Sequence, residues 1–169
     1  MKNEFSLQVE LLNLHKTFKP DLLTLKRAAD FVVFNELDFY LLKRKIEIFW
    51  KRAEFYIHWI DEKAMRELHR KTHKDPSSTD VISMDYWSEI SGAEEFVLGE
   101  VFVNVDEAKK VWRTQKTSLH FELLLYLVHG VLHVFGCDDR NEADRRAMRE
   151  RESFYMDLFS HLTPIVKKA

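Results

Sequence analysis

The residues best placed to do chemistry lie in one short run, His129-Gly-Val-Leu-His133-Val-Phe-Gly136-Cys-Asp138-Asp139. Two histidines four positions apart share one face of an α-helix, about one turn from each other, so both imidazoles can reach one ion. Gly136, three residues further on, can end that helix and return the chain, which gives the acidic pair beyond it a short route to the same ion. Two imidazoles and a carboxylate form a mononuclear transition-metal site with a position left for water, and a site of that kind implies an enzyme. Both histidines interrupt an otherwise apolar helix, and a shared ion satisfies both rings at once if they are buried. Zinc is the default ion, and nickel, cobalt or iron would accept the same donors.

The third ligand is a choice between neighbours. Asp139, six residues after His133, lies beyond the glycine turn, so His129, His133 and Asp139 are the expected ligand set. Asp138 is the competing choice, or else supports a histidine or the turn itself. Arg140 reads as surface charge. In zinc peptidases of the HExxH type the residue after the first histidine is the glutamate that acts as general base. Here it is Gly130, which removes the main support for a peptidase. A glycine there costs helix stability, and the expected reason is close approach by another backbone or by substrate.

The elements that must position this run can be read from apolar periodicity. Phe5, Leu7, Val9 and Leu11 alternate as a first strand, and Asp21 precedes a helical stripe of Leu22, Leu25, Ala28, Ala29, Val32 and Val33. From Asp38 to Lys51 the pattern fits either continued helix or a strand through Ile46, Ile48 and Trp50. Phe55, Ile57 and Trp59 predict a second strand, and Asp61 caps a helix to about Thr72. After the Asp75-Pro76-Ser77-Ser78 turn come a third strand over 81–84 and a fourth over 96–105, with an exposed loop over 85–95 between them whose Trp87 and Ile90 could pack back. Asp106 opens a short helix and Ser118 caps a longer one, apolar on most sides, that ends in the histidine run. Asn141 starts a final helix with Met148, Phe154, Tyr155, Leu158 and Phe159 on one face. The expected fold is α+β, a single mixed sheet of about four strands covered by helices, with the metal motif at the end of a buried helix.

Composition narrows the class further. The 169 residues are read as a single domain, 1–169. The 26 basic and 28 acidic residues nearly cancel, so RNA contact requires a local basic patch. One cysteine, Cys137, cannot form an internal disulfide, no apolar run spans a bilayer, and the first residues lack the apolar core of a signal peptide. The expectation is a soluble, cytoplasmic protein with no membrane association.

With these residues in place, the chain resembles the YbeY family of bacterial metal-dependent endoribonucleases, the rRNA maturation factors. The family motif H-G-x-L-H-L-x-G-Y-D-H is matched by H-G-V-L-H-V-F-G-C-D-D at 129–139. An upstream family segment, Y-R-x-K-D-x-P-T-D-V-L-S-F, is matched by Thr72-His73 and then Ser78-Thr79-Asp80-Val81-Ile82-Ser83-Met84, and a G-D-I-like strand by Gly99-Glu100-Val101. The resemblance implies a single-strand-specific endoribonuclease acting in 16S rRNA 3′-end maturation and late-stage ribosome quality control, with one Zn²⁺ per chain and water activated by it. Small-subunit rRNA is the implied substrate and ribosome-associated proteins are implied partners.

Three positions depart from the family pattern. Asp139 stands where the family has its third histidine, and a carboxylate can serve as a ligand there. His73 stands where the family has an arginine associated with RNA contact or catalysis, and its imidazole is shorter and mostly neutral at pH 7. Cys137 replaces a tyrosine, with packing as its expected role. His73 is the candidate catalytic residue, and Lys71 and Lys74 are candidate RNA-binding residues, each equally readable as part of a solvated loop. Tyr86, Trp87 and Phe96 could stack bases or belong to the core. The Lys43-Arg44-Lys45 and Lys51-Arg52 clusters read as solvated surface that could also grip rRNA. The alternative function is a non-catalytic, ribosome-associated RNA-binding protein that retains a structural metal.

Overall fold

The computed structural model describes residues 5–47, 50–89 and 93–162. Nine strands and α-helices follow in order among the described residues: β1 (Ser6–Asn13), α1 (Leu22–Arg44), β2 (Arg52–Ile60), α2 (Glu62–His73), β3 (Val81–Asp85), β4 (Glu95–Asn104), α3 (Val105–Gln115), α4 (Leu119–Val134) and α5 (Glu142–Leu162), with a short 3-10 turn (Trp87–Glu89) between β3 and β4. The strands form one sheet in the order β1-β2-β4-β3. β1, β2 and β4 run parallel, and β3 pairs antiparallel with β4.

The alternation in β2 becomes a two-faced strand. Phe55, Ile57 and Trp59 are fully buried, as are Val101 and Val103 beside them on β4. α4 packs across β3 and β4 and also contacts α1, α3 and α5, so it is enclosed on nearly every side. That enclosure accounts for a helix with Leu123, Leu124, Leu127, Val128, Val131 and Leu132 all within the core. On the other face of the sheet α2 covers one end, where Met65 packs with Ile60 and Ile82.

The segment left open between helix and strand is helix as far as Arg44, where Leu37 and Leu41 are still buried. It stops because Lys45 adopts a left-handed conformation and its backbone N–H turns back to the carbonyls of Leu41 and Leu42. Ile48, in the same ambiguous stretch, and Ile90 lie outside the described residues. Asn104, not Asp106, caps α3: its side chain accepts from the N–H groups of Asp106 and Glu107. Among the described residues no helix is long and apolar enough to cross a membrane.

Gly130 is explained by packing against the sheet. A Cβ at this position would lie 2.4 Å from Val101 Cγ1 and 2.9 Å from Val81 Cγ2, while Ser83 Oγ donates to the Gly130 carbonyl at 2.9 Å. The close approach comes from side chains of β3 and β4, and it presses α4 onto the strands that form one wall of the site. Gly130→Val should therefore overpack the core and lower stability by about 1–3 kcal/mol, read as a lower urea midpoint.

Candidate metal centre

The metal motif is organised by how α4 ends. Gly136 has φ +82°, the Gly136 N–H donates to the His133 carbonyl at 2.9 Å, and the Cys137 N–H donates to the Leu132 carbonyl at 3.0 Å. This is a Schellman closure, and it requires the left-handed residue that glycine supplies. The reversal carries Asp139 back over the helix end. Asp138 holds the turn: its Oδ1 accepts from the Asp139 N–H at 2.8 Å, and its Oδ2 pairs with Arg140 at 3.1 Å. One atom each from His129, His133 and Asp139 then lies within 4.8 Å of the others.

The hydrogen bonds on the far sides of the two rings fix which nitrogen faces inward. His133 Nδ1 lies 3.0 Å from the Cys137 carbonyl, which can only accept, so Nδ1 carries the proton. His129 Nδ1 lies 2.6 Å from Glu152 Oε1 of α5 and donates to that carboxylate. Both Nε2 lone pairs are left facing each other at 3.0 Å. Two lone pairs at that separation repel unless a cation or a proton lies between them. The residues present therefore fit a divalent transition-metal ion held by His129 Nε2, His133 Nε2 and Asp139.

The protonation balance follows the same geometry. Burial pushes the His129 imidazole down, but the hydrogen bond and charge of Glu152 more than offset this and hold it above its ordinary value. Burial, together with the charge of His129, lowers His133.

Glu152 is the residue that sequence reasoning missed. Nothing local announces it, because it lies 23 positions from His129 on a strongly charged helix. Its orientation comes from its neighbour. Arg151 donates to both oxygens of the buried Glu36 on α1, at 2.9 and 3.0 Å, and the Tyr155 hydroxyl donates to the same carboxylate. This clamp sets the rotation of α5 and turns Glu152 toward α4.

The site opens into a cleft of about 560 Å³ whose walls include His69, His73, Asp80, Ser83, Asp85 and Arg140. His73 is thus brought to the cleft with the three motif residues. Lys71 and Lys74 are not among its lining residues. Lys71 pairs with Glu67 at 2.8 Å on the exposed surface of α2, and Lys74 is the left-handed residue that ends that helix. Tyr86, Trp87 and Phe96 also lie outside the lining. Trp87 stacks on Tyr40 and donates to the Val134 carbonyl, Tyr86 donates to Glu100, and Phe96 packs edge-on against Trp50.

The wall that carries Thr79 and Asp80 is anchored from behind by Asn104, which is fully buried. Its amide donates to Glu62 Oε2, Ser78 Oγ and the Thr79 carbonyl at 3.1, 3.0 and 2.9 Å. Burial pushes the Glu62 carboxyl up, yet hydrogen bonds from Asn104, Ser78, Lys110 and Arg66 outweigh it and hold the group at about 2. A depressed carboxyl stabilises the fold fully above its ordinary value of 4.5, and this contribution is lost as pH falls from there toward about 2. Glu62→Gln should flatten that part of the pH–stability curve, measured as the wild-type-minus-variant difference in urea midpoint across this window.

An α+β sheet with a histidine- and aspartate-lined cleft at the end of its central helix defines the class. The profile of the family described as Endoribonuclease YbeY matches residues 24–160, more than half of the chain, and the chain belongs to that family. Proteins named Endoribonuclease YbeY from Chlamydia pneumoniae and Chlamydia abortus are each 34% identical to it, over 103 and 109 residues. These matches cover 59% and 62% of this chain, and 65% and 69% of the two relatives. The chain therefore spans just under two thirds of the Chlamydia pneumoniae protein. The solution structure of TM1509 from Thermotoga maritima shares the fold, with a TM-score of 0.54 at 20% identity over 86% of each chain.

Proposed function

We propose that this chain is a metal-dependent endoribonuclease that cuts single-stranded RNA in maturation of the 16S rRNA 3′ end and in late-stage ribosome quality control. One observation carries the reading: two inward-facing Nε2 lone pairs and the Asp139 carboxylate converge at the floor of an open cleft. Zinc suits two imidazoles and a carboxylate and leaves a position for water or substrate. When bound, the ion supplies Lewis acidity toward a phosphoryl oxygen and toward water.

The protein's own groups do the rest. Glu152 and the Cys137 carbonyl hold the two rings in orientation. Asp138 sets the turn that aims Asp139. His73 and Arg140 both line the cleft through which the phosphate backbone would pass, offering it an imidazole and a guanidinium. Lys71 and Lys74, outside the lining, would add positive field around the end of α2. Residues 1–169 serve this activity as one domain.

The reading is tested with purified protein and a 5′-labelled single-stranded RNA. Cleavage should cease when the ion is stripped by a chelator and return when Zn²⁺ is restored, and a duplex of the same sequence should be spared. RNA binding without chelator-sensitive cleavage would establish instead a non-catalytic RNA-binding protein with a structural ion.

A further inference from the structure

The cleft that holds His129 and His133 is also lined by a second histidine pair, its rings similarly spaced but inclined at 50° rather than 88°. His69 and His73 are also four residues apart on one helix, and both line the same cleft. Their ring centroids are 4.9 Å apart, against 4.5 Å for His129 and His133.

The tautomers of this pair follow from their partners, as they do in the first. His69 Nδ1 lies 2.9 Å from the Ser77 carbonyl, an acceptor only, so Nδ1 carries the proton and Nε2 the lone pair. His73 Nδ1 lies 2.7 Å from Thr72 Oγ1. That hydroxyl has one proton, which it donates to the Leu68 carbonyl at 2.9 Å, so it accepts from His73. The lone pair of His73 is therefore also on Nε2. Neither tether is incidental: the Ser77 carbonyl is placed by a turn in which Asp75 Oδ1 accepts from the Ser77 N–H at 2.7 Å.

We infer that His69 and His73 form a second divalent transition-metal site, coordinating through both Nε2 atoms and leaving the remaining positions to water or to a phosphate oxygen. Imidazole nitrogens at this helical spacing suit zinc, copper and nickel. With only two protein ligands and greater exposure, this site binds more weakly than the three-ligand centre. Its consequence, which rests on the reading of the cleft as an RNA site, is a second cation lining the same cleft. There it would place positive charge in the cleft and attract the phosphate backbone.

The experiment is a Zn²⁺ titration of the metal-free full chain, with bound metal counted after equilibrium dialysis, for wild type, His133→Ala and the double variant His69→Ala/His73→Ala. Expected are two ions for wild type, the second weaker, and one ion for each variant. One ion for wild type and none for His133→Ala would overturn the second site while leaving the first intact. Two ions retained by His69→Ala/His73→Ala would overturn it as well, by placing the second ion elsewhere. Two ions in His133→Ala, with one in the double variant, would support the second site and count against the first. A measurement independent of stoichiometry is the long-range ¹H–¹⁵N spectrum of the metal-free wild type above pH 7. Both rings should carry their proton on Nδ1, and finding it on Nε2 would remove the basis for coordination.

Discussion

His133→Ala should release the ion from the centre and abolish RNA cleavage together. His133 contributes one of the two imidazole nitrogens, and its loss leaves His129 and Asp139 as a pair without a third donor. Losing a partner that merely supports a ligand costs about 10–100-fold in metal affinity, so loss of the ligand itself should exceed that range. The substitution also removes the ring that donates to the Cys137 carbonyl. The backbone bonds of Gly136 and Cys137 to α4 still close the helix, so the far-ultraviolet circular dichroism should stay that of the wild type. Metal content by elemental analysis and single-turnover cleavage are the measurements.

Glu152→Ala should weaken metal binding by about 10–100-fold while leaving all three ligands in place. The carboxylate accepts from His129 Nδ1 at 2.6 Å, which fixes the ring plane and raises the basicity of Nε2. Without it the ring is free to turn, and only the charges of Asp80 and Asp139 still oppose the effect of burial on the imidazole. Glu152→Gln separates the two contributions, because an amide oxygen still accepts the hydrogen bond but brings no charge. Its affinity should fall between those of wild type and Glu152→Ala in a chelator-competition titration. Equal affinities for all three proteins would show that His129 is held by packing alone.

The contrast between His133 and Glu152 shows what was legible in the sequence. The histidine pair could be read because helical spacing is local, and Gly136 because a helix end before an acidic turn needs a left-handed residue. The strands were legible where one face is buried, as in Phe55, Ile57 and Trp59. Glu152 was not, because its rotation depends on Arg151 and Tyr155 meeting Glu36 on a helix more than a hundred residues away in sequence. α3 begins at Val105, one residue before the expected Asp106, because Asn104 is the cap. The structure assigns Asp106 to His15 and to the Glu62 N–H instead. Leu41 and Leu42 left the end of α1 open, because an apolar pair fits a strand as well as a helix and only the left-handed Lys45 decides. His69 and His73 share that local spacing, but the Ser77 carbonyl that fixes the His69 ring is brought to it only by the fold of the following turn.

On the proposed function, RNA cleavage depends on an ion held by His129, His133 and Asp139. This dependence is tested most directly by measuring metal content and single-stranded RNA cleavage on the same preparations of wild type and His133→Ala, each stripped of metal and reloaded with Zn²⁺. Reloaded wild type should cleave, stripped wild type should not, and His133→Ala should fail to cleave even after reloading. Cleavage by stripped wild type, or by His133→Ala at the wild-type rate, would contradict that dependence.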